Sequence, residues 1–487
     1  MKLNLRDRKK IKYIFFSLGI LIFSYGQIVK NMFFLSMGMF IVWLASMIFS
    51  MESVREKIVY FLFQVSFFTF LISRPFIGSI EGSQWWLNSE QSLNNYYFAF
   101  SVVMLSQIGL FVGGLVSEKM IYNKKNIVDN KREEFRCVLQ NVSMIIFYVT
   151  IIFFFLQESE KLFYMIEKNY VIYYTGFHSK LPGIVHTIAS FMKYSLCIFL
   201  ATLPSKRKAF FPLALFQLSS IPQFIIGVRN PFVLNGLFII TYYVIRDYLK
   251  DESKWIGKIE KILLIVCIPA GIIVMYLHSF IRSGGNIKGG NIFLMIKNFF
   301  YSQGVTFDVL AIGYGWKGNL PERPFRNYTF GGFIDYIVHG RIGQALWGTE
   351  PLPTTNCYTN GRLSNNLSHN LAYVQNQQSY LEGHGWGSSF MLENYIDFGY
   401  IGVLIFSVIL GILLIKMVKH SWKNSFANTI ILVSLMNLYF IPRAEATGWL
   451  VFIITLQFWI CMLGNYMLTW LVRKYFPIIK DKSKDKE

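Results

Sequence analysis

Apolar runs, each near the ~20 residues that cross the hydrocarbon layer of a bilayer, recur along the chain between short polar linkers. Blocks at about 13–29, 32–50, 57–74, 96–117, 138–157, 183–201, 209–226, 231–247, 261–279, 395–415, 426–441 and 448–472 predict about twelve spans. The runs do not alternate apolar with polar positions, so helices and not barrel strands satisfy the backbone inside lipid. The pattern breaks once, where polar residues dominate from Arg282 to Ser389. The expected organisation is a membrane bundle of about nine helices over 1–279, a loop over 280–394, further membrane helices over 395–474 and a charged tail over 475–487.

Within the polar stretch, SGGNIKGGN at 283–291 reads as a hinge. Ile292–Tyr301 and Phe333–Trp347 read as short amphipathic helices lying at the lipid surface. Proline, asparagine and glycine dominate elsewhere, which predicts ordered loop and no compact domain.

Composition narrows the class. Apolar residues make up 54% and charged residues 15%, against about 25% charged in soluble proteins, so water-soluble readings fall. A net charge of +20 could suggest nucleic acid. Instead, the basic residues crowd alternate linkers: Lys119 to Arg136, Lys206 to Lys208, Arg246 to Lys261, Lys416 to Lys423, and the tail from Arg473 to Lys486. This is the positive-inside bias of a polytopic membrane protein; the resemblance given below implies the plasma (inner) membrane. The bias puts both termini in the cytoplasm and the long insertion outside, and it makes anionic membrane lipid, not nucleic acid, the partner of the charge. The basic N-terminus leads into a long span without a small-residue cleavage site and is read as retained. The five cysteines form no CxxC pair, so neither a disulfide nor a zinc site is indicated.

Candidate chemistry lies on the outer side. Arg229 in the turn GVRN, Arg282 at the end of HSFIR and Arg443 in IPRAEA are expected near one depth on that face. A guanidinium grips phosphate through two parallel hydrogen bonds, so three of them would suit a pyrophosphate and stabilise it as a leaving group. Snorkelling or topology anchoring is the plainer reading of each.

The stretch 367–403, LSHNLAYVQNQQSYLEGHGWGSSFMLENYIDFGYIGV, leads into the tenth span. Its GHGWGSS portion leaves backbone N–H groups at a helix start, where Ser388 and Ser389 either help to hold an anion or simply cap the helix. His369, with Asn376 and Tyr380 nearby, could take a proton from an attacking sugar hydroxyl. Glu393 and Asp397 at the mouth of the span are rival bases. Lys193 lies inside a span with no carboxylate partner visible in the sequence, and its role stays open. No DxD clamp, Walker loop or GxSxG elbow occurs. The substrate must therefore already be activated and outside, as a polyprenyl-diphosphate sugar is.

These residues carry a resemblance. The single long outer loop, the arginine turn GVRNP, the 367–403 block and the late turn IPRAE resemble the oligosaccharide repeat-unit polymerases of the Wzy, or O-antigen polymerase, family. The resemblance implies an all-α polytopic membrane protein with a GT-C-like fold shared with O-antigen ligases. It implies a glycosyltransferase that joins undecaprenyl-diphosphate-linked oligosaccharide repeat units into surface polysaccharide at the outer membrane face, without metal or other cofactor. On it, Arg229, Arg282 and Arg443 become diphosphate contacts, His369 matches a loop histidine of the related ligases, and Glu393 remains the alternative base. A chain-length regulator and a flippase are implied as partners by family alone. A ligase using a different acceptor, or a transporter of lipid-linked oligosaccharide, are the competing readings.

Overall fold

The first nine spans are single helices or nearly so. They are α1 (Leu5–Val29), α2 (Met32–Met51), α3 (Ile58–Ile80), α4 (Leu93–Lys119), α5 (Asn130–Glu167), α6 (Gly183–Ala201), α7 (Lys206–Ile226), α8 (Asn230–Leu249) and α9 (Lys258–Ser283). The computed structural model describes residues 5–86, 92–120, 130–167, 176–249, 254–283, 291–353 and 355–475, with backbone alone at 5–9, 130–132, 167 and 279–283. Local chemistry explains the exceptions to straightness. In α7, Ser219 and Ser220 fold their hydroxyls back onto Phe216 and Gln217 carbonyls at 2.7 and 2.6 Å, and the helix breaks there before Pro222. In α3 one π-helical turn, Phe68–Ile72, interrupts the α-helix.

The insertion is more ordered than its composition suggests. It folds into α10 (Ile292–Gln303), α11 (Thr306–Trp316), α12 (Gly331–Val338), α13 (Arg341–Trp347), α14 (Tyr358–Leu363), α15 (Leu367–Gln375) and α16 (Gln377–Leu381). Helices thus form at Thr306–Trp316 and Tyr358–Leu363, where ordered loop was expected. Asparagines that read as loop formers act as helix caps: Asn291, Asn366 and Asn376 accept from Phe293, Ser368 and Ser379 N–H groups at 3.3, 2.9 and 2.9 Å. The segment Phe333–Trp347 is two helices because the chain turns at His339–Gly340. Most of α11 is buried against α4, with Tyr314 stacked on Phe98 at 4.0 Å between centroids. The hinge residues 284–290 lie outside the described residues.

After the insertion come α17 (Phe390–Lys419), α18 (Ser425–Leu438) and α19 (Leu456–Tyr475). The central pair of the bundle is α4 with α17, joined by Ser106 and Ser407 hydroxyls at 2.9 Å. A Cβ on Gly109 would come within 2.7 Å of Ser407 Cβ, so the small residue sets that close approach. At one end of the bundle Lys57, fully buried, meets Glu118 at 2.9 Å and Glu52 at 3.3 Å, while Lys12 meets Glu52 at 2.9 Å.

Among the described residues ten helices are long and apolar enough to cross a membrane, and a bent pair would bring the number to eleven. The sequence count of twelve needs that adjustment. The block 448–472 is a 3₁₀ segment, Gly448–Ile454, meeting α19 at 55°. The block 426–441 is a 14-residue helix, about 21 Å long. Hydropathy registers both as spans because it counts apolar residues and is blind to a break in the hydrogen-bond ladder. Among the described residues there is no strand, and the chain is an all-α polytopic membrane protein.

Candidate active site

The polar end of α17 organises the site. Its first nine residues are separated from the rest by Gly399, whose φ of +66° is left-handed and breaks the helix. Glu393 on this short arm is 0% exposed, and both of its oxygens are engaged. Ser388 donates its hydroxyl to Oε1 at 2.7 Å, and the backbone N–H of Ala446 donates to Oε2 at 2.7 Å. GHGWGSS and IPRAEA, far apart in sequence, thus share one carboxylate. Asp397, one turn on, accepts from the N–H and hydroxyl of Thr329 at 2.6 and 2.7 Å. The Thr329 carbonyl in turn accepts from Thr447 at 2.6 Å.

The turn held this way carries Arg443 and Glu445. Arg443 lies in a 3₁₀ turn, Ile441–Arg443, with its guanidinium 5.8 Å from the Phe70 ring of α3. Glu445 Oε1 accepts from Asn366 Nδ2 at 2.6 Å. A Cβ at Gly448 would sit 2.7 Å from Oε2, so the glycine leaves that oxygen room. Burial, reinforced by the charge of Asp335, pushes the Glu445 carboxyl up to about 6.

Asn366 caps α15, and His369 rides one turn along it. The imidazole Nδ1 is 2.8 Å from Tyr380 Oη, with the rings edge to face. Burial lowers the His369 pKa, and Asp335 partly opposes this. Burial also pushes the Tyr380 phenol up to about 12, so it stays protonated. For Nε2 to accept a proton, Nδ1 must hold the ring hydrogen and donate it to Tyr380. Asp335 is itself fixed, accepting from Ser364 at 2.7 Å and from the Asn365 N–H at 2.8 Å. Arg323 donates to the Arg362 carbonyl and, at 3.1 Å, to Asn370 Oδ1; Tyr328 reaches the same oxygen at 2.9 Å.

Sequence-derived candidates divide accordingly. Ser388, Glu393, Arg443, His369 and Tyr380 belong to one connected assembly. Ser389 is the extended residue ahead of α17, buried, and makes no side-chain cap bond. Asn376 caps α16. Arg229, just ahead of α8, donates to the Met275 carbonyl of α9 at 3.2 Å. On α8, Thr241 meets Tyr439, which is four residues before Arg443, at 2.6 Å. The side chain of Arg282 lies outside the described residues. Near Lys193, on α5, lies Glu158, which pairs with Lys161 at 2.6 Å. Sequence reasoning missed Glu445, Asn366, Asp335 and Arg323. Glu445 stood two residues from Arg443 in a turn already singled out; only pairing across the chain reveals the others.

The assembly links an imidazole of lowered pKa on α15 with a carboxyl raised to about 6 and a guanidinium in the turn after α18. It can accept a proton and hold an anion. Neither the curated proteins nor the solved structures include a match to this chain. The family model described as O-antigen polysaccharide polymerase Wzy matches residues 11–475, nearly the whole chain, and the protein therefore belongs to that family of membrane polymerases acting on lipid-linked O-antigen repeat units.

Proposed function

We propose that this protein extends a glycan carried on undecaprenyl diphosphate at the outer face of the plasma membrane, by metal-independent transfer in a GT-C-like frame with both termini cytoplasmic. The observation that carries this is the shared anchoring of three segments. Glu393 ties Ser388 to Ala446, and Asn366 ties α15 to Glu445, so His369 and Arg443 belong to one rigid assembly. A hydroxyl on the terminal sugar of an acceptor unit attacks the anomeric carbon of the donor glycan. The new C–O bond forms as the bond to diphosphate breaks, and the isoprenyl diphosphate leaves. His369 Nε2 accepts the hydroxyl proton, and Arg443 neutralises charge on the departing diphosphate. Glu393 fits a tether better than a base, because both its oxygens already accept hydrogen bonds.

The test is direct. Purified protein, shown to be folded, is incubated with a lipid-linked repeat unit with and without EDTA. A ladder of longer glycans in both samples is expected. Intact substrate would refute the reading, and one discrete transfer to another acceptor would make the protein a ligase.

A further inference from the structure

A polymerase of this kind handles two lipid-linked substrates, a donor and an acceptor, and the assembly around Arg443 accounts for one headgroup. On the other side of the same turn is a cavity of about 360 Å³ between α5, α6, α18 and the 3₁₀ segment, lined in part by Gln157, His186, Ser190, Lys193, Asn437 and Trp449. His186, Ser190 and Lys193 stand at i, i+4 and i+7 and so share one face of α6. Gly448 lines this cavity and also abuts Glu445 Oε2. Cavity and site are therefore neighbours across one strip of backbone. We propose that this cavity seats a second lipid-borne diphosphate, with Lys193 as its cation.

Charge and position both support the assignment, which rests on the polymerase reading above. Glu158 is already paired with Lys161 at 2.6 Å, and among the described residues no carboxylate forms a salt bridge with Lys193. In a low-dielectric span an anion restores neutrality. Hydrogen-bond donors at Gln157, His186 and Asn437 suit phosphate oxygens. Lys193 lies about 15 Å along α6 from its first residue, deep for a free ion. The neighbouring helices are the bundle's edge, with Ile145, Ile152 and Ile184 exposed, so a lipid reaches the cavity laterally with its headgroup attached.

Native mass spectrometry of the full-length protein with undecaprenyl diphosphate tests this. Wild type is expected to carry two lipids. Lys193→Met should carry one, through about tenfold or greater weakening at that seat, and Arg443→Ala should also carry one. Ser190→Leu fills the cavity while leaving Lys193 in place and should behave like Lys193→Met. Two tightly held lipids in both α6 variants would overturn the proposal. So would displacement of the second lipid by equimolar phosphatidylglycerol, and inorganic pyrophosphate occupying the seat equally well would show that the isoprenoid plays no part. Two bound lipids without any elongation by wild type would sink the polymerase reading instead.

Discussion

Ala446 donates its backbone N–H to Glu393 across 2.7 Å, so a carboxylate on α17 fixes the turn that presents Arg443. Glu393→Ala should leave two buried donors without their acceptor, at about 1–3 kcal/mol each, and should lower both melting temperature and elongation. Glu393→Gln keeps an acceptor for Ala446 and is expected to retain elongation within about tenfold of wild type. A folded Gln variant with no elongation would make Glu393 the base.

Arg443 approaches an aromatic face in a turn that is otherwise apolar. Arg443→Ala should reduce elongation by about 10²–10³-fold, the scale for losing one charge-stabilising donor. Arg443→Lys should also be impaired, since a point charge lacks the fork. Quantified glycan ladders from matched amounts of protein decide it, and full activity in the Lys variant would remove the clamp.

The pH profile reports on His369. Its pKa is lowered by burial, so the neutral base form predominates from 6.5 upward and is lost as pH falls through a lowered midpoint. The initial rate should therefore be level near neutrality and drop on an acidic limb whose midpoint lies under 6.5. His369→Ala should cost about 10²–10⁴-fold and abolish that limb. Tyr380→Phe should retain a limb but slow the reaction, because Nδ1 loses its partner.

Glu445 predicts a stability trend of opposite character. Its pKa rises from 4.5 to about 6 on folding, so the folded form holds a proton that the unfolded chain has released. Stability from this group is present below 4.5 and is lost as pH climbs to about 6. Measured against Glu445→Gln, the wild type should therefore melt progressively lower across that window, with a constant gap above it. A gap independent of pH would contradict the shift.

On α13, Ile342, Leu346 and Trp347 are exposed together, and the neighbouring α12 touches the start of α19, where Tyr336 Oη accepts from the Leu456 N–H at 2.9 Å. That face should rest on lipid. Brominated lipids are expected to quench Trp347 fluorescence in a variant retaining only this tryptophan, and Leu346→Asp should reverse the quenching.

What could be read in advance follows from range. Spans such as Met32–Met51 announce themselves because a membrane helix needs a continuous apolar run. Arg443, His369 and Glu393 could be picked out because guanidinium, imidazole and carboxylate are conspicuous on an apolar chain. Their arrangement could not. Asn366 meets Glu445 across 79 positions, and Glu393 meets Ala446 across 53. Single-sequence periodicity carries no information at such separations.

The π-helical turn of α3 has one more implication. Phe70 within it faces Phe440 and Arg443, while Arg74 beyond it pairs with Asp308 at 3.1 Å and lies 4.9 Å from the Tyr301 ring. Such a turn holds one surplus residue, worth about 100° of rotation. Excising it would swing one half of α3 out of phase with the other, so that either Phe70 loses the arginine or Arg74 loses its aspartate. The helices of the insertion and the turn that carries Arg443 are thus kept in step by a single amino acid.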